Sequence, residues 1–341
     1  MHMHETVLFR CDASPQLGSG HLYRCCTLAA EIVRQGGRSL MFGPAMEACP
    51  AEFAHVFSEW KQCSFEDETA DAVRTCEFAG LHQVNKLVLD DYRISDDYQQ
   101  ILKQNDLHWL QFDGTGQKNL WADWVVNAMP GTTADLYADK LKNSRPRLLL
   151  GPNYALLRPD FAKHALPDSV QQRAGRVFVF AGGGDDKKVL TLLLGSFLSM
   201  GDSLTICVVS TSTNPGLSDL LNWIHHNGMG KVELHIDAQD MPALMRSCAM
   251  AFVSAGTVTY EINCTGLPMV LFSMADNQIA QAQAWAEGTG AKYLGDYRQL
   301  TVAAIQGAVS ELLVNPDTPV KRLVDGQGAR RIVQELMEFD V

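Results

Sequence analysis

Val7-Leu8-Phe9-Arg10-Cys11-Asp12-Ala13-Ser14-Pro15-Gln16-Leu17-Gly18-Ser19-Gly20-His21-Leu22-Tyr23-Arg24 runs from an apolar strand pattern into the start of an amphipathic helix. In open α/β sheets, ligands bind outside the carboxyl ends of strands, at junctions of this kind. Gly18 and Gly20 let the backbone approach a ligand closely, and the N–H groups of a helix start favour anions. His21 at that mouth can exchange protons near neutral pH. The plain alternative is a tight turn followed by a histidine that merely opens a helix.

Working outward, the same strand-then-helix alternation fills the chain, which predicts α/β architecture with parallel sheets. Strands are expected at Val7–Cys11, Arg38–Phe42, Lys86–Asp90, His108–Phe112, Trp124–Asn127 and Arg147–Gly151, with helices at Leu22–Gln35, Asp67–His82 and Asp96–Gln104. Pro152, Pro159 and Pro167 then interrupt the stretch from Gly151 to Gly175, which reads as a hinge. Alternation restarts with strands at Arg176–Ala181, Leu204–Val209, Val232–Ile236, Ala249–Val253, Met269–Phe272 and Lys292–Leu294. Helices are expected at Lys187–Met200, Leu217–His226, Pro242–Arg246, Val258–Cys264, Gln278–Glu287, Thr301–Leu313 and Ala329–Glu338.

A chain of 341 residues is too long for one average domain, so two are expected, at 1–158 and 159–341, with the last helix able to pack back on the first. The formal net charge of -11 disfavours a nucleic-acid partner. No apolar run is long enough for stable membrane insertion, and the start at Met1-His2-Met3-His4-Glu5 lacks a signal-peptide pattern, so a cytoplasmic location is expected. The 9 cysteines include no Cys-x-x-Cys pair, and Cys25 and Cys26 read as packing residues of the first helix. His2 with His4, or His225 with His226, lacks the companions of a zinc site, so no metal is expected.

In the second half, Phe252-Val253-Ser254-Ala255-Gly256-Thr257-Val258-Thr259-Tyr260-Glu261 reads as strand, small-residue loop and helix start, a pattern that suits a phosphate. Glu261 can accept both hydroxyls of a ribose, or simply complement the helix dipole. Gly182-Gly183-Gly184 follows one strand, and Asp276-Asn277-Gln278 follows another; Asn277 and Gln278 offer donors and acceptors to a sugar, with helix capping by Asp276 or Asn277 as the alternative. The junctions at Gly182, Ser254 and Asp276 are expected on the carboxyl edge of one sheet. In the first half, Asp90-Asp91-Tyr92 ends a strand; Tyr92 can bond or stack on a polar ligand, and one of the two acids is expected to cap the next helix.

Together these segments resemble the UDP-2,4-diacetamido-2,4,6-trideoxy-β-L-altropyranose hydrolase family of pseudaminic-acid synthesis and its relatives in spore-coat and surface polysaccharide synthesis. The resemblance rests on Arg10 to Ser14, Gly18 to His21 with Arg24, Asp90-Asp91-Tyr92, the stretch from Leu150 to Phe161, Gly182-Gly183, Glu261, Gly266-Leu267-Pro268 and Asn277-Gln278. It implies a GT-B-like architecture, two Rossmann-like domains facing across a cleft that closes on the substrate. It further implies UDP held by Gly182, Gly183, Ser254, Ala255, Gly256, Thr257 and Glu261, and a sugar held by Asp12, Gly18, Gly20, Arg24, Tyr92, Asn277 and Gln278. His21 would be the catalytic base, water would attack the anomeric carbon with inversion, and neither cofactor nor metal would be needed. Asp12 or a backbone carbonyl could set the His21 tautomer, a choice the sequence does not decide. Gly184, Asp186, Phe112-Asp113-Gly114 and Ser254-Ala255 depart from the family pattern and leave the sugar open. A glycosyltransferase of the same fold and a non-catalytic nucleotide-sugar-binding protein stand as alternatives; oligomeric state is not legible.

Overall fold

A computed structural model describes residues 5–12, 20–65, 67–91, 93–158, 160–161, 175–184, 186–201, 204–228, 230–315 and 320–338. The chain divides into two compact units, Met1–Arg158 with Gly326–Val341, and Pro159–Asp325.

The first unit holds strands β1 (Thr6–Cys11), β2 (Arg38–Gly43), β3 (Glu59–Gln62), β4 (Lys86–Asp90), β5 (His108–Phe112), β6 (Trp124–Asn127) and β7 (Arg147–Leu150). They form one parallel sheet in the order β3-β2-β1-β4-β5-β6-β7. Strands buried on both faces read as continuous apolar runs, and Val7, Leu8 and Phe9 of β1 are each fully buried. Alternation sends Val7, Phe9 and Cys11 against α1 (Gly20–Arg34), while Leu8 packs on the opposite side with residues of α2 (Glu68–Leu81) and α3 (Asp96–Gln104). The β3 strand lies outside the sequence-based expectations: Glu-Trp-Lys-Gln has no apolar pattern, and it forms by pairing Leu40 with Glu59 along the edge of β2.

The first unit is completed by the last helix, α10 (Gly328–Met337), in which Ile332, Val333 and Leu336 join the same core as α1. Three contacts tie it down. Arg331 donates to the Asn153 carbonyl, Arg147 pairs with Glu335, and buried Lys86 donates to the Leu336 carbonyl at 2.8 Å.

The second unit carries β8 (Arg176–Phe180), α4 (Val189–Leu198), β9 (Thr205–Ser210), α5 (Leu217–Asn227), β10 (Val232–Ile236), α6 (Met241–Arg246), β11 (Met250–Ser254), α7 (Val258–Thr265), β12 (Met269–Ser273), α8 (Ile279–Thr289), β13 (Lys292–Asp296) and α9 (Val302–Val314). Its parallel sheet runs β10-β9-β8-β11-β12-β13. One face is filled by Val177, Val179, Ile206, Phe252 and Phe272 against α4 and α9. The α4 helix starts two residues later than its apolar pattern predicts. Lys187 and Lys188 have φ of 49° and 63°, and left-handed residues cannot join a right-handed helix. No helix among the described residues is long and apolar enough to cross a membrane.

Candidate functional site

In each sheet the strand order reverses once, between β1 and β4 and between β8 and β11, and such switch points open a crevice at the strands' carboxyl ends. The candidate residues collect at both.

In the first unit, α1 begins beside the end of β4. His21 and Arg24 are three residues apart on α1 and so share a face, and both reach Asp90, the last residue of β4. His21 Nδ1 lies 2.7 Å from Asp90 Oδ1. Arg24 Nη2 donates to the same oxygen at 2.8 Å, and its Nε donates to Oδ2 at 3.0 Å. The Asp90 side chain is fully buried, while 13% of the His21 side chain is exposed. Arg24 Nη2 also sits 3.2 Å from His21 Nδ1. A guanidinium only donates and a carboxylate only accepts, so the two contacts compete for Nδ1, and the shorter one, to Asp90, places the proton on Nδ1. With Nδ1 donating to Asp90, the lone pair of the neutral ring lies on Nε2. The Arg24 guanidinium also lies over the Phe112 ring, 5.1 Å from its centroid.

One open question is answered and one expectation is corrected here. The carboxylate that orients His21 is Asp90, whereas Asp12 accepts from Arg93 Nη2 at 2.7 Å. Neither Asp90 nor Asp91 caps α3; Ser95 does, accepting from Asp97 N and Tyr98 N. Asp91 instead binds Arg93 through the backbone N–H and the guanidinium. Burial pushes the Asp91 carboxyl up, but those hydrogen bonds outweigh it and hold the group below the usual carboxylate range. Behind this layer, Arg10 makes a buried two-bond pair with Asp71, which also accepts from Tyr98 Oη at 2.9 Å. Among the described residues, a Cβ on Gly20 would meet nothing within 4 Å. Gly18 and Tyr92 lie outside the described residues.

In the second unit, the junctions at Gly182, Ser254 and Asp276 follow β8, β11 and β12, three neighbouring parallel strands, on one carboxyl edge as expected. Gly182 has φ 111°, and a Cβ built there would sit 3.8 Å from Ser254 Oγ, so the two loops meet across the switch point. The Gly183 carbonyl accepts from Thr211 and Thr213. Ser254 and Ala255 are buried, and Gly256 and Thr257 lead into α7, whose first-turn N–H groups point back over them. Thr257 makes no side-chain cap, and half-buried Glu261 stands in the first turn of α7. Gln278 holds this edge together by accepting from Met274 N at 2.9 Å, next to Gly256.

Asn277 lies in a short 3-10 turn over Asp276–Gln278; neither this turn nor α8, whose N-cap position is Gln278, has a side-chain cap, so the alternative of capping by Asp276 or Asn277 is set aside. Sequence reasoning missed Gln281, which donates to the Gly256 carbonyl at 3.0 Å and to Thr259 Oγ1 at 3.1 Å and so braces the loop. It also left Asp186 unexplained. That carboxylate is buried, accepts from Asn214 Nδ2 and Lys188 N, and holds the left-handed pair that starts α4.

No family model matches the chain. The chain is 25% identical over 258 residues to the UDP-2,4-diacetamido-2,4,6-trideoxy-β-L-altropyranose hydrolase of Campylobacter jejuni, covering 75% of this chain and 86% of that protein. It is 23% identical over 253 residues to a spore coat polysaccharide biosynthesis protein of Bacillus subtilis, covering 71% and 73%. An uncharacterised protein of Methanocaldococcus jannaschii is 22% identical over 266 residues, which is 76% of this chain but 54% of that one, so the chain spans about half of that relative. These include the relatives that the motifs point to. Among solved structures, MurG of Acinetobacter baumannii superposes with a TM-score of 0.66 at 12% identity, covering 98% of this chain and 100% of that one. A UDP-GlcNAc 2-epimerase of Neisseria meningitidis, bound to UDP-GlcNAc, gives 0.65 at 9%, covering 98% and 100%. At such identities the likeness is one of fold: the chain has two Rossmann-like domains of the GT-B type.

Proposed function

We propose that this protein hydrolyses a UDP-activated 2,4-diacetamido-trideoxy sugar to the free sugar and UDP, with His21 as the base that deprotonates the attacking water. The observation that carries the reading is the Asp90–His21–Arg24 arrangement. A buried carboxylate 2.7 Å from Nδ1 fixes the ring's donor side, so that Nε2 is the accepting nitrogen. As the water oxygen bonds to the anomeric carbon, its proton passes to Nε2 and the carbon–oxygen bond to the diphosphate breaks. The electron pair leaves with UDP, and attack from the opposite face inverts the centre. The imidazolium that forms faces the Asp90 carboxylate, which Arg24 holds in place through two hydrogen bonds.

In the second unit, the α7 N-terminus with Ser254, Ala255, Gly256 and Thr257, together with Gly182 and Gly183, takes the diphosphate. Backbone N–H groups and the helix dipole stabilise the departing charge. Glu261 takes the ribose hydroxyls, while Asp12, Gly20, Arg24, Asn277 and Gln278 address the sugar. The product suits a route to nonulosonic acid or surface polysaccharide, the latter in keeping with the name of the Bacillus relative.

The test is UDP release by the purified chain, without any acceptor, from the diacetamido trideoxy altrose nucleotide and from UDP-N-acetylglucosamine. Rapid release from the first substrate, lost in His21→Asn while substrate still binds, is the expected result. Release that requires an added acceptor hydroxyl would make the protein a transferase. Tight UDP binding with no turnover of either nucleotide would make it a binding protein.

A further inference from the structure

On the far side of the second unit's sheet from β12, three ligating side chains converge that the hydrolytic reading does not use. Glu233 of the edge strand β10 is the direct cross-strand partner of Cys207 of β9, and His235 lies two residues further along β10. Paired residues and their i+2 neighbours project from the same face of a sheet. As a result, one donor atom from each of Cys207, Glu233 and His235 lies within 4.8 Å of the others. His235 Nε2 is buried and has no hydrogen-bond partner among the described residues, an arrangement that costs free energy until something satisfies it.

We propose that this cluster is a zinc-binding site, with Cys207, Glu233 and His235 as ligands and a water in the fourth position. Sulfur, imidazole and carboxylate together suit Zn²⁺, and four-coordinate tetrahedral geometry with these bond lengths sets donors about 3.3–3.8 Å apart. The three donors lie within 4.8 Å of one another, so each pair has at most about 1.5 Å to close. Arg176 already donates to both oxygens of Glu233, at 2.9 and 2.7 Å. A carboxylate offers about four lone-pair positions, so these bonds leave room for a metal and fix the carboxylate as an outer partner would. Glu233 is 46% exposed, which gives the ion a way in. The site is independent of the proposed hydrolysis and stands or falls separately.

The test is titration of the full-length, chelator-treated chain with Co²⁺, followed by displacement with Zn²⁺ and competition against a chromophoric chelator. A thiolate-to-cobalt charge-transfer band that saturates at about one equivalent per chain, and is abolished by Zn²⁺, is the expected result. Cys207→Ser should remove the band. His235→Ala changes a half-exposed edge-strand residue and should leave the fold intact, yet weaken Zn²⁺ affinity by about 100-fold or more. Cys26→Ser, in the other unit, should change neither. Absence of a saturable band in the wild-type chain would overturn the proposal, as would a band that survives Cys207→Ser or Zn²⁺ affinity unmoved in His235→Ala.

Discussion

Asp90→Asn changes one atom and tests the proposed base directly. Oδ1 of Asp90 receives both His21 Nδ1 at 2.7 Å and Arg24 Nη2 at 2.8 Å, and Oδ2 receives Arg24 Nε at 3.0 Å. An asparagine must place its NH2 at one of these positions. At the Oδ1 position it donates toward His21 and drives the ring proton to Nε2, so the water meets a donor instead of a base. At the Oδ2 position it confronts the Arg24 Nε–H and forfeits that charge-assisted bond. Either orientation also removes the negative charge that faces the developing imidazolium.

Loss of a positioned general base costs about 10²- to 10⁴-fold in rate. At about 1.36 kcal/mol per tenfold, that is about 3–5 kcal/mol of transition-state stabilisation. Stability falls less, by about 1–2 kcal/mol, because Arg24 is 30% exposed and water replaces part of what it loses. The assay is steady-state UDP release, kcat and KM separately, beside a urea melt. The expected pattern is a fall in kcat of about 100-fold or more with KM within a few-fold. A folded Asp90→Asn protein with kcat within about threefold of wild type would refute the tautomer argument.

Other perturbations bear on the fold and on the nucleotide side. Asp71→Ala leaves Arg10, only 1% exposed, without its countercharge and should cost about 3–5 kcal/mol in a denaturant melt, while Arg10→Met with Asp71→Leu should recover most of it. The depressed Asp91 carboxyl contributes stability that is present above the usual carboxylate range and lost as pH falls through its folded value. Asp91→Asn should therefore be less stable than wild type near neutral pH, with the gap closing below about pH 4 in parallel melts; a gap that persists in acid would refute the assignment. A Cβ on Gly328 would come within 2.2 Å of the Ala155 carbonyl oxygen, backbone against backbone, so Gly328→Ala should displace α10, lower Tm and speed hydrogen exchange across Gly328–Met337. Gly182→Val strains a φ of 111° beside Ser254 and should weaken UDP binding by about tenfold or more in calorimetry. Gly184→Ala, which meets nothing within 4 Å, should leave UDP affinity nearly unchanged.

The sequence by itself determined the elements and their alternation. Lys86–Asp90, His108–Phe112 and Trp124–Asn127 are strands with the bounds their apolar runs predict, and the three loops of the second sheet stand on its carboxyl edge. Such features are legible because side-chain period and turn chemistry are set by near neighbours along the chain. The tertiary structure alone decided partners. Glu59–Gln62 is a strand only because the edge of β2 is there to pair with it. Asp90 reads as a cap until α1 delivers His21, 69 residues away in sequence, onto its oxygens. The amphipathic face of the last helix is visible in Ile332, Val333 and Leu336, but not that its neighbour would be α1. Cys207 gains Glu233 and His235 as companions through strand register, which no spacing along the chain encodes. In each case the contact is non-local. An apolar stripe or a lone carboxylate states what it needs, and only the packed sheet order determines which distant residue supplies it.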